Sequence, residues 1–278
     1  MSVATNWQDI LDTPRAQLNL AEAALVIARD EYPQLDIAAY LARIDTLAQT
    51  LRKRLRPDIV SSETLALYTR YMFEELGFAG NSDDYYDPRN SYLNEVIERK
   101  VGIPITLSVL FIEVGKRLGL PLSGVSFPGH FLVKCSLRNG AVVLDTYAKG
   151  AVLGIKGLQK RLRALSGGMD VAPEAVMRLL SAAQPVDILA RMLRNLKAIH
   201  SERGEKTRAL TAASRVIDLC PQSANDFRDR ARLHEELDCF GAAVADFEAY
   251  LRFAPEAADA RAVREKMAVL RQRASRLN

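Results

Sequence analysis

The spacing of apolar residues changes from helical to alternating at Leu122 and becomes helical again after Thr146. The alternating stretch predicts three strands joined partly by an Asn-Gly turn: Leu122–Phe127, Phe131–Leu137 and Ala141–Thr146. A buried helix is predicted just before them, from Pro104 to Gly119, because proline is tolerated in a first turn and apolar residues recur at helical spacing. The pattern therefore predicts a chain of the α+β class, with a small antiparallel sheet beside one buried helix.

Helices are predicted on both sides of this core. Apolar stripes ended by proline or glycine indicate three of them in the first eighty residues: Leu20 to Tyr32, Asp36 to Leu55 and Ser62 to Leu76. A short helix opens at Asn90 or Ser91, and two more follow the sheet, at Leu158–Leu165 and Pro173–Ala183. The predicted strands thus lie inside a mostly helical chain.

The last third of the sequence repeats itself. Pro221 and Pro255 are 34 residues apart, and the segments before them superpose at that offset, with Ala209 matching Ala243. A 34-residue period of two helices closed by proline resembles the tetratricopeptide repeat. Lys197 falls where this repeat prefers a small residue.

This period divides the chain into two domains. We expect a helical layer plus the α+β core in residues 1–185 and an all-α repeat region in residues 186–278. Two repeat units span about 190–255, and residues 256 to about 273 predict a capping helix. Repeats of this kind present concave surfaces, so we expect a protein or peptide partner there.

His130 and Asp145 are the first candidate catalytic residues, because they flank the predicted hairpin and a carboxylate can orient an imidazole that acts as a base. The strand register decides whether they meet. A tight turn would pair Asp145 with Lys134 and leave His130 roughly 13 Å away, at ~3.4 Å per residue. A loop from Leu137 to Gly140 would pair Asp145 with Leu132 and bring it diagonal to His130. A structural role for both remains the alternative.

The order of helix, histidine and aspartate is the layout of a papain- or transglutaminase-like catalytic half, in which a thiol at the helix start is the nucleophile. No cysteine precedes Cys135, which lies an odd number of residues from His130 and is predicted to be a small core residue. Thr106 and Ser108 are the candidate hydroxyl nucleophiles, because the helix dipole favours an anion in the first turns. Both also suit helix packing or capping.

Four longer motifs resemble the SirB family of bacterial transglutaminase-like proteins, which commonly carry C-terminal tetratricopeptide repeats. They are YYDPRNSYLNEV from Tyr85, GIPITLSV from Gly102, RLGLP from Arg117 and FPGHFLV from Phe127. The resemblance covers about residues 20–270 and implies a transglutaminase-like (papain-like) core followed by repeats. It also implies a link to the regulation of gene expression, without an assigned reaction.

The same resemblance implies roles for individual residues. His130 and Asp145 fall on the histidine and aspartate positions of the triad of true transglutaminase-like enzymes. The catalytic cysteine position falls at or beside Pro104, counted back from the RLGLP motif, and proline cannot act as a nucleophile. This departure indicates a pseudoenzyme.

Composition excludes several other functions. A net charge of +4 over 278 residues gives no reason to expect a nucleic-acid partner. No stretch approaches the ~18 apolar residues of a membrane helix, and no secretory signal is visible at the N-terminus. Three scattered cysteines predict reduced thiols in the cytoplasm. We expect no cofactor and no metal: the polar loop from Gly80 to Arg89 lacks a calcium pattern, and His200 and His234 are predicted to be packing residues.

Three functional hypotheses follow. The leading one is a non-catalytic regulatory or protein-interaction protein, with an intact frame that lacks its thiol. The second is a hydrolase or acyltransferase of amide or ester bonds that uses His130 and Asp145 with a hydroxyl nucleophile. The third is a structural adaptor in which the region around His130 is inert.

Overall fold

The computed structural model describes residues 3–277 and divides into two compact units, one ending at Leu189 and the other beginning at Ala190. The first unit contains the sheet and the second is entirely helical. The domain boundary predicted at residues 185/186 stays a prediction.

The first unit begins with a layer of helices. Their bounds are α1 Trp7–Asp12, α2 Leu20–Ala28, α3 Ile37–Arg52, α4 Ser61–Arg70 and α5 Leu93–Arg99. The helix predicted from Ser62 to Leu76 ends its α-helical part at Arg70 and continues as a π-turn, Tyr71–Glu75, in which the Leu76 amide donates to the Tyr71 carbonyl. The helix expected to open at Asn90 or Ser91 instead begins at Leu93, after the 3₁₀ turn Pro88–Ser91.

The helix α6, Pro104–Arg117, forms the centre of this unit. Every residue from Pro104 to Gly115 is buried, so the helix is enclosed on all sides rather than on one apolar face. The Tyr68 hydroxyl donates to the Phe111 carbonyl at 2.7 Å, and the two rings stack at 4.3 Å. A helix held this firmly provides a rigid base for groups placed at its N-terminal end.

An antiparallel sheet of four strands packs beside α6, and its strands pair in the order of the chain. Its strands are β3 Leu122–Val125, β4 Leu132–Leu137, β5 Gly140–Asp145 and β6 Ala151–Val152. Leu137 pairs with Gly140, so the hairpin turn consists of Arg138 and Asn139. The small antiparallel sheet predicted from the alternating residues is confirmed. A second sheet, the parallel pair β1 Ala79–Gly80 and β2 Val101–Gly102, was not predicted.

Two helices follow the sheet, α7 Ile155–Leu165 and α8 Pro173–Arg178. The second is shorter than the predicted Pro173–Ala183, because the Leu179 amide closes a tight C-terminal turn on Ala175 and Val176. A cluster of apolar side chains joins these helices to the sheet; it includes Val125, Leu132, Val143, Leu158, Leu162 and Val176.

The second unit is built from helix pairs. The helix α9, Pro185–Glu202, leads into it, followed by α10 Lys206–Leu219, α11 Ala224–Glu236, α12 Phe240–Phe253 and α13 Ala260–Leu277. Ala209 and Ala243, matched by the 34-residue period, have no exposed surface. Lys197 is accommodated where a small residue was expected because its ammonium group pairs with Asp229.

Candidate functional site

The imidazole of His130 lies next to the carboxylate of Asp145, with 2.8 Å between Nε2 and Oδ1. The observed register pairs Val133 with Leu144 and hence sets Asp145 opposite Leu132, as in the second alternative, although the turn has two residues rather than the four from Leu137 to Gly140. His130 precedes β4 after a turn in which its amide donates to the Phe127 carbonyl. Gly129 has φ +66° in that turn, a value that other residues adopt only with strain.

Asp145 is almost fully buried, and its carboxylate accepts four hydrogen bonds. Besides His130, the donors are the backbone amides of Tyr147 and Ala148, at 3.1 and 3.2 Å, and the guanidinium of Arg161 at 2.5 Å. Burial raises the pKa of Asp145, but the hydrogen bond and charge of His130, with the bonds from Arg161 and Ala148, outweigh it. The pKa of Asp145 therefore lies below its ordinary value, and the group is a fixed anion at neutral pH.

Arg161 is a site residue that the sequence reasoning missed. It lies on α7, and its Nη2 atom contacts the Asp145 oxygen that His130 does not use. The sequence contains only a weak indication of this role. Arg161 lies three residues after Leu158, which is buried on the inward side of the helix, so the two share one face. Arg161 is about one third exposed, so the guanidinium side of this ion pair reaches solvent while the carboxylate is buried.

Pro104 and the two candidate hydroxyls lie at the start of α6. Pro104 occupies the first helical position and is buried. The Thr106 hydroxyl donates to the Asn90 carbonyl at 2.6 Å. The Ser108 hydroxyl bonds the Thr146 hydroxyl at 2.8 Å, and Thr146 in turn donates to the Pro104 carbonyl at 3.3 Å. Both side chains are fully buried, and these bonds join α6 to the 3₁₀ turn Pro88–Ser91 and to the residue that follows β5.

Tyrosine rings form one wall of the site. The ring of Tyr147 lies edge-on to His130 with 6.4 Å between centroids, and its hydroxyl donates to the Asn81 carbonyl at 2.9 Å. Burial and the charge of Asp145 raise the pKa of Tyr147. Gly80 permits this placement, since a Cβ there would lie 2.5 Å from the ring. The unpredicted strand pair therefore has a clear consequence, which is to hold Tyr147 beside the imidazole.

Asn90 fixes the loop that continues this wall. Its side-chain amide donates to the Asp84 carbonyl at 2.7 Å, and its side-chain oxygen accepts from Asn81 at 3.0 Å. Its backbone carbonyl accepts from Thr106 on α6. One buried asparagine thus connects the helix start, the loop and, through Asn81, the ring of Tyr147. The residue pattern placed Asn90 only at the start of a helix and gave it no role in the site.

The arrangement can orient an imidazole and keep a charge beside it. An imidazole held at Nε2 by an ionised carboxylate is set to accept a proton at its other nitrogen, Nδ1. Nucleophilic catalysis would also require a reactive atom beside that nitrogen. Cys135, the nearest cysteine in sequence, is buried on β4, and burial raises the pKa of its thiol, which favours the unreactive protonated form.

Comparison with known proteins is consistent with this geometry. A family model described as the transglutaminase-like superfamily matches residues 38–194, more than half of the chain. The chain belongs to the transglutaminase-like superfamily. A second model, the tetratricopeptide repeat, matches residues 196–268. The fold predicted from the sequence, an α+β core followed by helical repeats, is confirmed.

Proteins of similar length are among the relatives that this chain matches. A UPF0162 protein of Xylella fastidiosa (strain Temecula1) is 40% identical over 90% of this chain and 89% of its own. The UPF0162 protein PA3419 of Pseudomonas aeruginosa is 36% identical over 82% of both chains. Human F-box only protein 21 is 26% identical over 73% of this chain, which spans 36% of that longer protein.

The part of the chain that the structure describes shows neither a metal-binding cluster nor a membrane-spanning helix. Within residues 3–277, no group of three or more histidine, cysteine or acidic side chains is arranged to hold a metal ion. Over the same part of the chain, no helix combines the length and apolar character that crossing a bilayer requires. His200 and His234, matched by the repeat, contact different acids: Glu205 at 2.6 Å and Asp246 at 3.7 Å.

Proposed function

We propose that this chain is a non-catalytic regulatory or protein-interaction protein. Its repeat region would bind a protein or peptide partner, and its transglutaminase-like cleft would bind a ligand without turning it over. The resemblance to the SirB family and the reduced cysteines support a regulatory role in the cytoplasm. The rest of the proposal depends on the chemistry around His130.

The observation that supports this proposal best is the residue at the start of α6. Pro104 stands where the resemblance puts the catalytic thiol, and it has no atom that could attack a carbonyl carbon. The hydroxyls closest to it in sequence, those of Thr106 and Ser108, are engaged in hydrogen bonds within the protein. These three positions at the start of α6 thus offer the oriented imidazole of His130 neither a thiol nor an unbonded hydroxyl to activate.

Arg161 gives independent support. In a working dyad, the carboxylate stabilises the imidazolium that forms when histidine takes a proton. The carboxylate of Asp145 is shared with the guanidinium of Arg161, which already neutralises part of its charge. Less of that charge remains to stabilise an imidazolium, so the pair is better suited to holding a ring in place than to general-base catalysis.

The repeat region supports the interaction role. Its helices hold one another through ion pairs whose carboxylates are buried, such as Arg194 with Asp226 at 2.6 Å and Arg230 with Asp246 at 2.8 Å. These pairs stiffen the array. Other cations of the repeat region, including Arg232, are exposed to solvent. A stiff array loses little conformational entropy when a partner binds.

The test is a turnover assay on the full chain. We expect incorporation of dansylcadaverine into dimethylcasein, and hydrolysis of fluorogenic peptide amides, to be the same for the wild type and for His130→Ala. In parallel, affinity purification would compare the wild type with Arg232→Glu on α11 and Arg252→Glu on α12. Turnover that depends on His130 would contradict the non-catalytic role. A partner retained equally by both charge reversals would contradict the use of the repeats.

A second function is favoured by one observation, the 2.8 Å bond between His130 and Asp145. In this alternative the chain is a hydrolase or acyltransferase that uses the hydroxyl of Thr106 or Ser108. Its signature would be covalent labelling of one of these residues by a fluorophosphonate probe. Labelling lost in Ser108→Ala or Thr106→Ala, and also in His130→Ala, would favour the enzyme over the binding protein.

A further inference from the structure

Two adjacent tyrosines extend the aromatic wall of the His130 cleft into solvent. Tyr85 lies edge-on to Tyr147 at 6.0 Å between centroids, and Tyr86 lies edge-on to Tyr85 at 5.2 Å and 78°. Tyr85 and Tyr86 are 40% and 61% exposed, and both belong to the exposed large hydrophobic residues of the first unit. Large aromatic rings that remain in water at the edge of a cleft are typical of a surface that binds something.

The rings of Tyr85 and Tyr86 meet nearly at right angles, an arrangement called here the tyrosine corner, and hydrogen bonds hold the loop that carries them. The Asp84 amide donates to the Asn81 side chain at 3.1 Å, and Asn90 holds the Asp84 carbonyl at 2.7 Å. Asp87 accepts from Arg89 and caps the 3₁₀ turn that follows the tyrosines. A loop held at both ends in this way presents its rings without having to order them when a ligand arrives.

The charge beside the corner is negative. The carboxylates of Asp83 and Asp84 are exposed, and neither forms an ion pair with any residue that the structure describes. The cations nearest in sequence and site are already paired, Arg89 with Asp87 and Arg161 with Asp145. Among residues 3–277, no guanidinium or ammonium group lies over the ring of Tyr86.

We propose that Tyr85 and Tyr86, with the carboxylates of Asp83 and Asp84, bind a cationic side chain, lysine or arginine, of a peptide that occupies the His130 cleft. The face of a tyrosine ring attracts a cation, and a carboxylate nearby strengthens the attraction. The remainder of that peptide would continue along Tyr147 toward His130. This inference rests on the proposal that the cleft takes a ligand, and it adds the chemical class of one part of that ligand.

The experiment uses the full chain labelled with ¹³C in its tyrosine rings. It is titrated with N-acetyl-lysine methylamide and with the arginine derivative, and then with the norleucine derivative, the uncharged isostere of lysine. We expect the signals of Tyr85 and Tyr86 to shift with the two cations, and the norleucine derivative to bind at least about fivefold more weakly. Equal binding of lysine and norleucine derivatives, or no shift with either cation, would overturn the proposal.

Variants keep the test specific. Asp83→Asn/Asp84→Asn should weaken binding of the lysine derivative about fivefold, and Tyr86→Leu should do so by a similar factor, because both remove an attraction for the cation. Asp58→Asn, an exposed acid on the loop before α4, is the matched control and should leave binding unchanged. Equal weakening by Asp58→Asn would mean a general charge effect and would also overturn the proposal.

The outcome is separate from that of the proposed function. If the cation site fails and no turnover is seen, the non-catalytic role stands and only the ligand class is wrong. If turnover that depends on His130 is found, the non-catalytic role fails, and the titration still reports whether the tyrosine corner selects a cation.

Discussion

Replacing Asp145 with asparagine should destabilise the first unit, because its carboxylate accepts four hydrogen bonds in a nearly water-free position. A hydrogen bond to a charged group contributes ~1.5–3 kcal/mol, and an unsatisfied buried donor costs ~1–3 kcal/mol. The side-chain amide of asparagine would place an N–H donor against groups that are themselves hydrogen-bond donors. Arg161 is one third exposed and can return to water, so its share is discounted. We expect Asp145→Asn to lower the free energy of unfolding by about 2–4 kcal/mol.

The assay is urea unfolding followed by the fluorescence of Trp7, the chain's single tryptophan, which lies in the first unit. Circular dichroism recorded in the same titration covers the helices of both units. Asp58→Asn, an exposed acid, is the control and should change the free energy of unfolding by no more than about 0.5 kcal/mol. A change in Asp145→Asn as small as that of the control would refute the view that this carboxylate is a buried, fully bonded anion.

Three further predictions follow from particular contacts. The pKa of Asp145 is lower in the folded state than in the unfolded state, so the ionised carboxylate stabilises the fold fully above the unfolded pKa and loses this effect as pH falls through the folded pKa. In urea titrations, the difference in unfolding free energy between wild type and Asp145→Asn should therefore shrink below about pH 4. Gly150→Ala should lower the unfolding free energy by about 2–4 kcal/mol, because Gly150 has φ +76° and an added Cβ would lie 2.4 Å from a threonine methyl. The control Gly167→Ala, with φ +68° and no atom within 4 Å of the added Cβ, should cost only ~1 kcal/mol. Equal losses in the two variants would disprove the clash. Asp246→Ala should lower the unfolding free energy, followed by circular dichroism, by about 2–4 kcal/mol, because it leaves a largely buried arginine without its partner. Glu265→Ala, which removes one member of an exposed pair, should cost under about 0.5 kcal/mol. Similar values for the two variants would contradict a structural role for the buried pair.

The elements with a strong period could be predicted from the sequence. Alternation from Leu122 to Thr146 predicted the antiparallel sheet, and the 34-residue offset between Pro221 and Pro255 predicted the helical repeats. In both cases the pattern extends over many residues, so a local exception does not hide it. Lys197 is such an exception, and its ion pair with Asp229 explains why the repeat tolerates it.

The sequence reduced the relative placement of His130 and Asp145 to two hairpin registers, but it did not decide between them. Strand alternation placed the two residues on one face, and only the hairpin register separated contact from a gap of several residues. The structure forms a two-residue turn between Leu137 and Gly140, which selects contact. Turn residues alone did not indicate this, because Asn139 and Gly140 could both have been central turn positions.

The remaining parts of the site were out of reach for a different reason. The strands β1 and β2 have two residues each, too few for any period to appear. Arg161 and Asn90 act through partners on other elements, Asp145 for one and Asn81 with Thr106 for the other. Contacts of this kind depend on how helices and loops pack together, which residue spacing does not specify.

The most direct test of the central claim, a catalytic frame without its nucleophile, is to supply the thiol with Pro104→Cys and measure its alkylation by iodoacetamide, peptide by peptide, against pH. A thiol at a helix start beside an imidazole ionises readily, so we predict alkylation at mildly acidic pH that is much faster than at the exposed native Cys239 and that slows when His130→Ala is added. If the introduced thiol reacts no faster than Cys239, with or without His130, the start of α6 is not the vacant nucleophile position and the claim is contradicted.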